Sequence, residues 1–244
     1  RDPDGNIAKI AEVLEQKNTV WKDAPVKEAN DTNSNVSTIR LEEGTATVRR
    51  INAGATLISS KTKQVRDEIM LLENWVAIDE QIVEREKDPK AFRAGEVKGA
   101  LSGYIKGFHN NLWYGGGGDL GEITGLANRF NLSSLDNVHK TAGGAGSDTS
   151  SIWAVEWKED NAHLIYPGSA NGCGIEDTDL GKIKWQDSSG KPYMAYVNQI
   201  KLQFGLAVKD ARAIQRLANV ESSTVGSTNN LKDSAVIDQL IEMI

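Results

Sequence analysis

The chain has 244 residues, of which 28 are basic and 34 acidic, for a formal net charge of -6; 39% are hydrophobic and one is a cysteine. That length buries a good core in one large domain or two modest ones, and the 25% of charged residues is ordinary for a folded protein. No apolar run approaches the roughly 20 residues that cross a bilayer, no secretion signal is visible, no basic cluster exceeds Arg49-Arg50, and one cysteine permits no internal disulfide, so membrane, secreted and DNA-reading roles lose support.

The first residue is Arg1, not Met, which sets the expectation that the native start lies elsewhere. Asp4 is placed to cap a first helix with Ile7, Ile10, Ala11 and Leu14 on one face. After the polar stretch 30–35, residues Val36 to Arg50 are rich in Val, Ile and Thr with alternating polarity, the pattern of a strand. A second alternating segment, Lys61 to Ile69, faces it across a connection containing Gly54, and the two predict a long hairpin. Neither face is greasy enough to hold a two-stranded ribbon together alone, so the hairpin is expected to lie on its own domain or on a neighbouring copy; the plainer alternative is an edge hairpin of a larger sheet.

Asp88-Pro89 is a strong helix start, with Asp as cap and Pro at the first helical position, where its missing N–H costs nothing. Val97, Leu101, Ile105, Phe108 and Leu112 then form one apolar stripe, and the run Gly115 to Gly118 ends the helix after Tyr114. Gly95, Gly99, Gly103 and Gly107 repeat every fourth residue on the opposite row, at about 1 kcal/mol each relative to Ala. Such a row is best explained by close approach of a neighbouring element or subunit; the alternative is tolerated, exposed glycines.

Ala142 to Ser151 reads as a Gly/Ser-rich loop that introduces a compact β module of about 60 residues. Residues Val208 to Val220 fit strand or short helix equally. A final amphipathic helix carries Val236, Ile237, Leu240, Ile241 and Ile244.

Patterns of catalysis are absent from the sequence. Lys182 lacks the spacing of a phosphate-binding loop, and His109, His139 and His163 stand apart from one another and from any second metal ligand. The segment Glu176-Asp177-Thr178-Asp179 lacks the rest of a calcium loop and reads as a solvated acidic loop. Trp153, Trp157 and Trp185 offer a sugar-binding platform, against which stands the commoner role of strand aromatics as core. Cys173, between two glycines, reads as a small loop filler. No cofactor or metal is expected, and no catalytic residue.

The stretches Ser151-Ile152-Trp153-Ala154-Val155-Glu156-Trp157, His163-Leu164-Ile165-Tyr166-Pro167, Asp179-Leu180-Gly181, Phe204 to Asp210 and Arg216-Leu217-Ala218-Asn219 resemble the major capsid proteins of epsilon15-like tailed bacteriophages. The likeness extends through Arg1 to Gly5 and Gly125-Leu126-Ala127-Asn128-Arg129. It implies an α+β chain of the Hong Kong 97-type capsid fold: an N-terminal arm over 1–35, an extended hairpin loop over 36–70, and a peripheral domain over 71–118 with its spine helix at 89–114. An axial domain over 119–244 would follow, with a β-rich insertion at about 150–208.

The same resemblance implies a structural role, not an enzymatic one: a virion protein, assembled in the host cytoplasm, that self-assembles into the hexamers and pentamers of an icosahedral shell around double-stranded DNA, without sequence-specific binding. Cement or decoration, scaffolding and portal proteins are the further partners it implies, and a membrane is not one. Family members usually continue past the last helix, so it also implies a chain truncated at Ile244. Each interface is expected to exceed about 1,000 Å², with Arg49, Arg50, Lys61, Lys63 and Arg66 of the hairpin and the Gly95, Gly99, Gly103, Gly107 row as inter-subunit contacts. The rival readings are a cellular encapsulating shell of the same fold and a β-rich carbohydrate-binding module.

Overall fold

The computed structural model describes residues 19–42, 44–117, 121–132, 134–140, 149–168, 174–221, 230–231 and 233–243. The helix expected near Ile7 to Leu14, Cys173 and Ile244 lie outside them. In chain order the elements are α1 (Thr19–Asp23), β1 (Val26–Glu28), β2 (Ser34–Glu42), β3 (Lys61–Asp79), α2 (Glu80–Arg85), α3 (Pro89–Tyr114), α4 (Leu126–Arg129), β4 (Val138–Lys140), β5 (Thr149–Val155), β6 (Ala162–Tyr166), β7 (Ile175–Gln186), β8 (Pro192–Val208), β9 (Ile214–Glu221) and α5 (Ser234–Glu242).

The α3 helix forms where its signals place it. Asp88 accepts a hydrogen bond from the Ala91 N–H at 3.0 Å, and Pro89 occupies the first turn. Its 26 residues run about 39 Å at 1.5 Å each. Leu101, Tyr104, Ile105, Phe108 and Leu112 are buried, and Phe108 meets Phe204 of β8 at 4.5 Å and the edge of Trp21 at 5.2 Å. Tyr104 satisfies its buried hydroxyl by donating to the Ile200 carbonyl at 2.6 Å, and burial pushes its pKa up to about 12. The helix ends at Gly115, where a Cβ would stand 2.3 Å from the Ile123 carbonyl oxygen. Gly125 returns to the same point and donates to the Gly115 carbonyl at 2.8 Å, so two backbones touch where neither admits a side chain.

A six-stranded sheet carries this helix, in the order β1-β6-β8-β3-β2, with β7 also pairing β8. β8 is its axis. One edge of β8 takes β3 from Ile69↔Gly205 to Asp79↔Ala195; the other takes β6 near its end and β7 near its start. Gly205 sits at a tight approach, since a Cβ there would lie 2.5 Å from the Glu68 carbonyl oxygen. A smaller sheet, β4-β9-β5, packs Leu217 and Val220 against Val236 and Met243 of the α5 region.

Several expectations are corrected. The first hairpin strand ends at Glu42 instead of continuing to Arg50, and the second runs ten residues beyond Ile69, to Asp79. Past Ile69 the strand gains β8 as a partner, which the local pattern does not reveal. The strands expected to form one compact module divide instead between two sheets: β5 joins β4 and β9, while β6, β7 and β8 join β3. Thr149 to Ser151, read as loop, begin β5. The ambiguous stretch after Val208 resolves into a short 3-10 turn, Ala211–Ala213, followed by β9.

Candidate assembly surfaces

The hairpin leaves the sheet as a ribbon, paired from Ser34↔Glu68 to Glu42↔Lys61. Beyond that rung, residues 44–60 form no strand, and Val48, Ile51 and Leu57 are each more than 90% exposed. Three large apolar side chains on one projecting segment, uncovered by any of the described residues, form a surface that burial against another molecule would stabilise.

The five hairpin cations divide into two groups. Lys61 pairs with Glu42 at 2.7 Å and Arg66 with Asp31 at 3.4 Å, both within the chain. Arg49, Arg50 and Lys63 are exposed, the first two beside Val48 and Ile51 on the distal segment and Lys63 opposite Ile39 in the ribbon. The root of the hairpin is fixed by a buried pair that sequence reasoning missed: Asp67 on β3 and Arg129 at the end of α4, 2.5 Å apart.

The glycine row behaves differently from an intramolecular seam. A Cβ at Gly95, Gly99 or Gly103 would meet nothing within 4 Å, and at Gly107 only Leu72 Cδ1 at 3.7 Å. Among the described residues no element approaches the first three, which leaves that row open. The α5 helix exposes Ile237 and Ile241 in the same way.

The residues considered for chemistry are kept apart. Among the described residues no three His, Cys, Asp or Glu side chains are grouped to hold a metal. His109 accepts from the Trp113 indole N–H at 3.3 Å, His139 faces Gln215, and His163 is buried in β6. Glu176, Asp177 and Asp179 lie in strand β7, not in a loop; Asp179 pairs with Arg93 at 2.7 Å, Asp177 accepts from Asn198, and burial raises the Asp177 pKa. The three tryptophans share no platform. Trp153 lies against Trp113 and beneath Arg216, Trp157 packs on the core, and Trp185 sits on the other sheet beside Trp75. Among the described residues no helix is long and apolar enough to cross a membrane.

A long helix laid on a sheet from which a hairpin projects is an arrangement shared with solved shell proteins. The capsid protein of bacteriophage epsilon15 is 25% identical, with a TM-score of 0.62 over 83% of this chain and 62% of that one. The capsid protein of a native GTA particle matches at 8% identity and a TM-score of 0.54, over 82% of this chain and 89% of that one. The SrpI encapsulin of Synechococcus elongatus PCC 7942 matches at 9% identity and 0.56, over 86% and 89%. The last two show the fold alone. No curated protein matches.

The fold is thus the Hong Kong 97-type, the class to which these shell proteins belong. The family model described as Major capsid protein GP7 matches residues 2–244, and the chain belongs to that family. It spans 62% of the length of the epsilon15 capsid chain.

Proposed function

We propose that copies of this chain assemble into the hexamers and pentamers of an icosahedral phage head, built in the host cytoplasm, that holds double-stranded DNA without reading its sequence, and that the chain performs no catalysis. The observation that carries this reading is the hairpin, which projects Val48, Ile51 and Leu57 beyond any cover from the described residues. In the assembled shell the distal segment lies on the adjacent copy, with Arg49, Arg50 and Lys63 meeting carboxylates there, and the open face at Gly95, Gly99 and Gly103 receives another backbone. Heterologous contacts of this kind, repeated by rotation, close into rings and shells.

The hairpin over 36–70 serves as the extended loop and α3 as the spine of the peripheral domain. The span 119–244 supplies the axial part, while returning β6, β7 and β8 to the sheet beneath the spine. Cement, scaffolding and portal proteins are the partners such a head takes. Negative-stain microscopy of the purified chain tests the proposal: closed or partial shells are expected, and a dispersed monomer at every concentration would overturn it. The genome container is preferred over a cargo shell because the identity to the epsilon15 protein, 25%, exceeds the 9% to the encapsulin. Particles purified from an infected host that carry protein cargo and no DNA would reverse that preference.

A further inference from the structure

Side chains of β3 alternate between the two faces of the large sheet, and the faces differ in cover. Leu72 and Val76 pack on the core beneath α3, which turns Leu71, Glu73 and Trp75 to the opposite side. There Leu71 is 50% exposed and Trp75 44%. β3 and β7 flank β8 on opposite edges, and the half-buried Trp185 of β7 leans towards Trp75 across that strand, with ring centroids 5.8 Å apart. Two indoles and a leucine thus form an apolar patch that the described residues leave open to solvent.

Glu73 is held within this patch as an acceptor. The Trp75 indole N–H donates to its Oε1 at 3.1 Å, and the Gln199 side-chain amide donates to the same oxygen. Both donors are neutral. Lys201, the cross-strand neighbour of Glu73, pairs with Glu176 at 3.9 Å instead, so among the described residues Glu73 has no cation. A carboxylate fixed beside an indole suits a guanidinium in particular, which donates forked hydrogen bonds to the one and lies over the ring of the other.

The distal segment of the hairpin has the matching chemistry. Residues 44–60 contain Arg49 and Arg50 and no Asp or Glu, and Val48, Ile51 and Leu57 are the exposed apolar side chains beside them. We propose that the patch of Leu71, Trp75 and Trp185 seats the hairpin tip of a second copy, with Glu73 taking the arginine pair and the indoles covering Val48 and Ile51. This rests on the shell-forming reading above and names the surface on the adjacent copy that receives the arm. Tip and seat lie at different places on one chain, so the contact is heterologous and each copy engages two neighbours through it.

Charge exchange in the full chain tests the seat, with assembly followed by light scattering and the particles viewed by microscopy. Glu73→Arg is expected to raise the concentration needed for shell formation about tenfold. Combining it with Arg49→Glu and Arg50→Glu is expected to bring that concentration back to within about threefold of the parent, a recovery that misfolded protein cannot produce. Should Glu73→Arg fail to fold, Glu73→Gln decides, because its amide oxygen still accepts from Trp75 and Gln199; weaker assembly supports the seat and unaltered assembly overturns it. Shells from the parent chain together with unaltered assembly of Glu73→Arg, or with no recovery in the exchanged variant, overturn the seat alone and give the patch to a partner other than a second copy. A parent chain that never assembles overturns the shell-forming reading and the seat with it.

Discussion

Arg129 reaches Asp67 from 62 positions away in sequence and donates to its Oδ1 at 2.5 Å, while Asp67 Oδ2 accepts from the Val208 N–H at 3.3 Å. Asp67 is 2% exposed, and Arg129 also donates to the Thr124 and Leu206 carbonyls. One ion pair therefore joins the base of the hairpin, the turn after the long helix and the end of β8. Removing Arg129 strands the Asp67 carboxylate where water scarcely reaches it.

Arg129→Ala is accordingly expected to cost about 3–5 kcal/mol in urea unfolding. The double variant Asp67→Asn with Arg129→Gln, which leaves no net charge behind, is expected to cost less than Arg129→Ala alone. Burial raises the Asp67 pKa, with Arg129 and the Val208 N–H opposing. A carboxyl whose folded pKa lies above its unfolded value favours folding at acid pH, and that contribution is lost as pH rises through the folded value. Asp67→Asn should remove this part of the pH dependence, and a double variant less stable than Arg129→Ala would contradict the pairing.

His163 gives the opposite slope. With its pKa held at about 4, below the unfolded 6.5, the neutral ring contributes stability that is complete above pH 6.5 and drains away as pH falls through 4. The shift corresponds to about 3 kcal/mol. Unfolding curves at pH 7 and pH 4 measure it, and His163→Gln is expected to flatten the difference.

Arg49 and Arg50 have a different expected effect from Lys61. Reversing both distal charges, Arg49→Glu with Arg50→Glu, should leave the thermal unfolding of the dispersed chain within about 0.5 kcal/mol of the parent, as for other exposed positions. The same change should raise the concentration needed for shell formation about tenfold. Lys61→Gln should have the smaller effect on assembly, because that ammonium is already engaged by Glu42. Light scattering during assembly distinguishes the two, and unaltered assembly in the double reversal would count against the hairpin contact.

Gly99 and Gly103 separate helix propensity from packing between copies. Nothing among the described residues blocks a methyl group at either position, so Gly99→Ala and Gly103→Ala should each stabilise the unassembled chain by about 1 kcal/mol. If another backbone lies on that row in the shell, the same variants assemble poorly. Variants that are both more stable and fully competent to assemble would leave the glycines as merely tolerated.

The long helix was legible because every signal for it is local: a capping Asp, a Pro in the first turn, a stripe at helical spacing and a terminating glycine. The hairpin was half legible. Alternation marked its two strands near residues 36 and 61, but the continuation of β3 to Asp79 depends on β8, more than a hundred positions away, and no local pattern encodes that rung by rung. The same distance hid the Asp67–Arg129 pair. Asp67 reads as one more charged residue in an alternating strand, and only the fold reveals that it faces inward. Trp153 and Trp185 illustrate the converse, because their similar strand settings concealed that they belong to different sheets.

β3 is one unbroken strand from Lys61 on the arm to Asp79 at the far edge of the sheet, and its last eleven residues are all in register with β8. Nineteen residues at about 3.3 Å give a beam of about 60 Å. Tension on the projecting end loads those eleven rungs together, in shear, instead of peeling them one at a time. The arm therefore acts as a lever set in a rigid mount, and a tug from outside turns the whole body before it frays the strand.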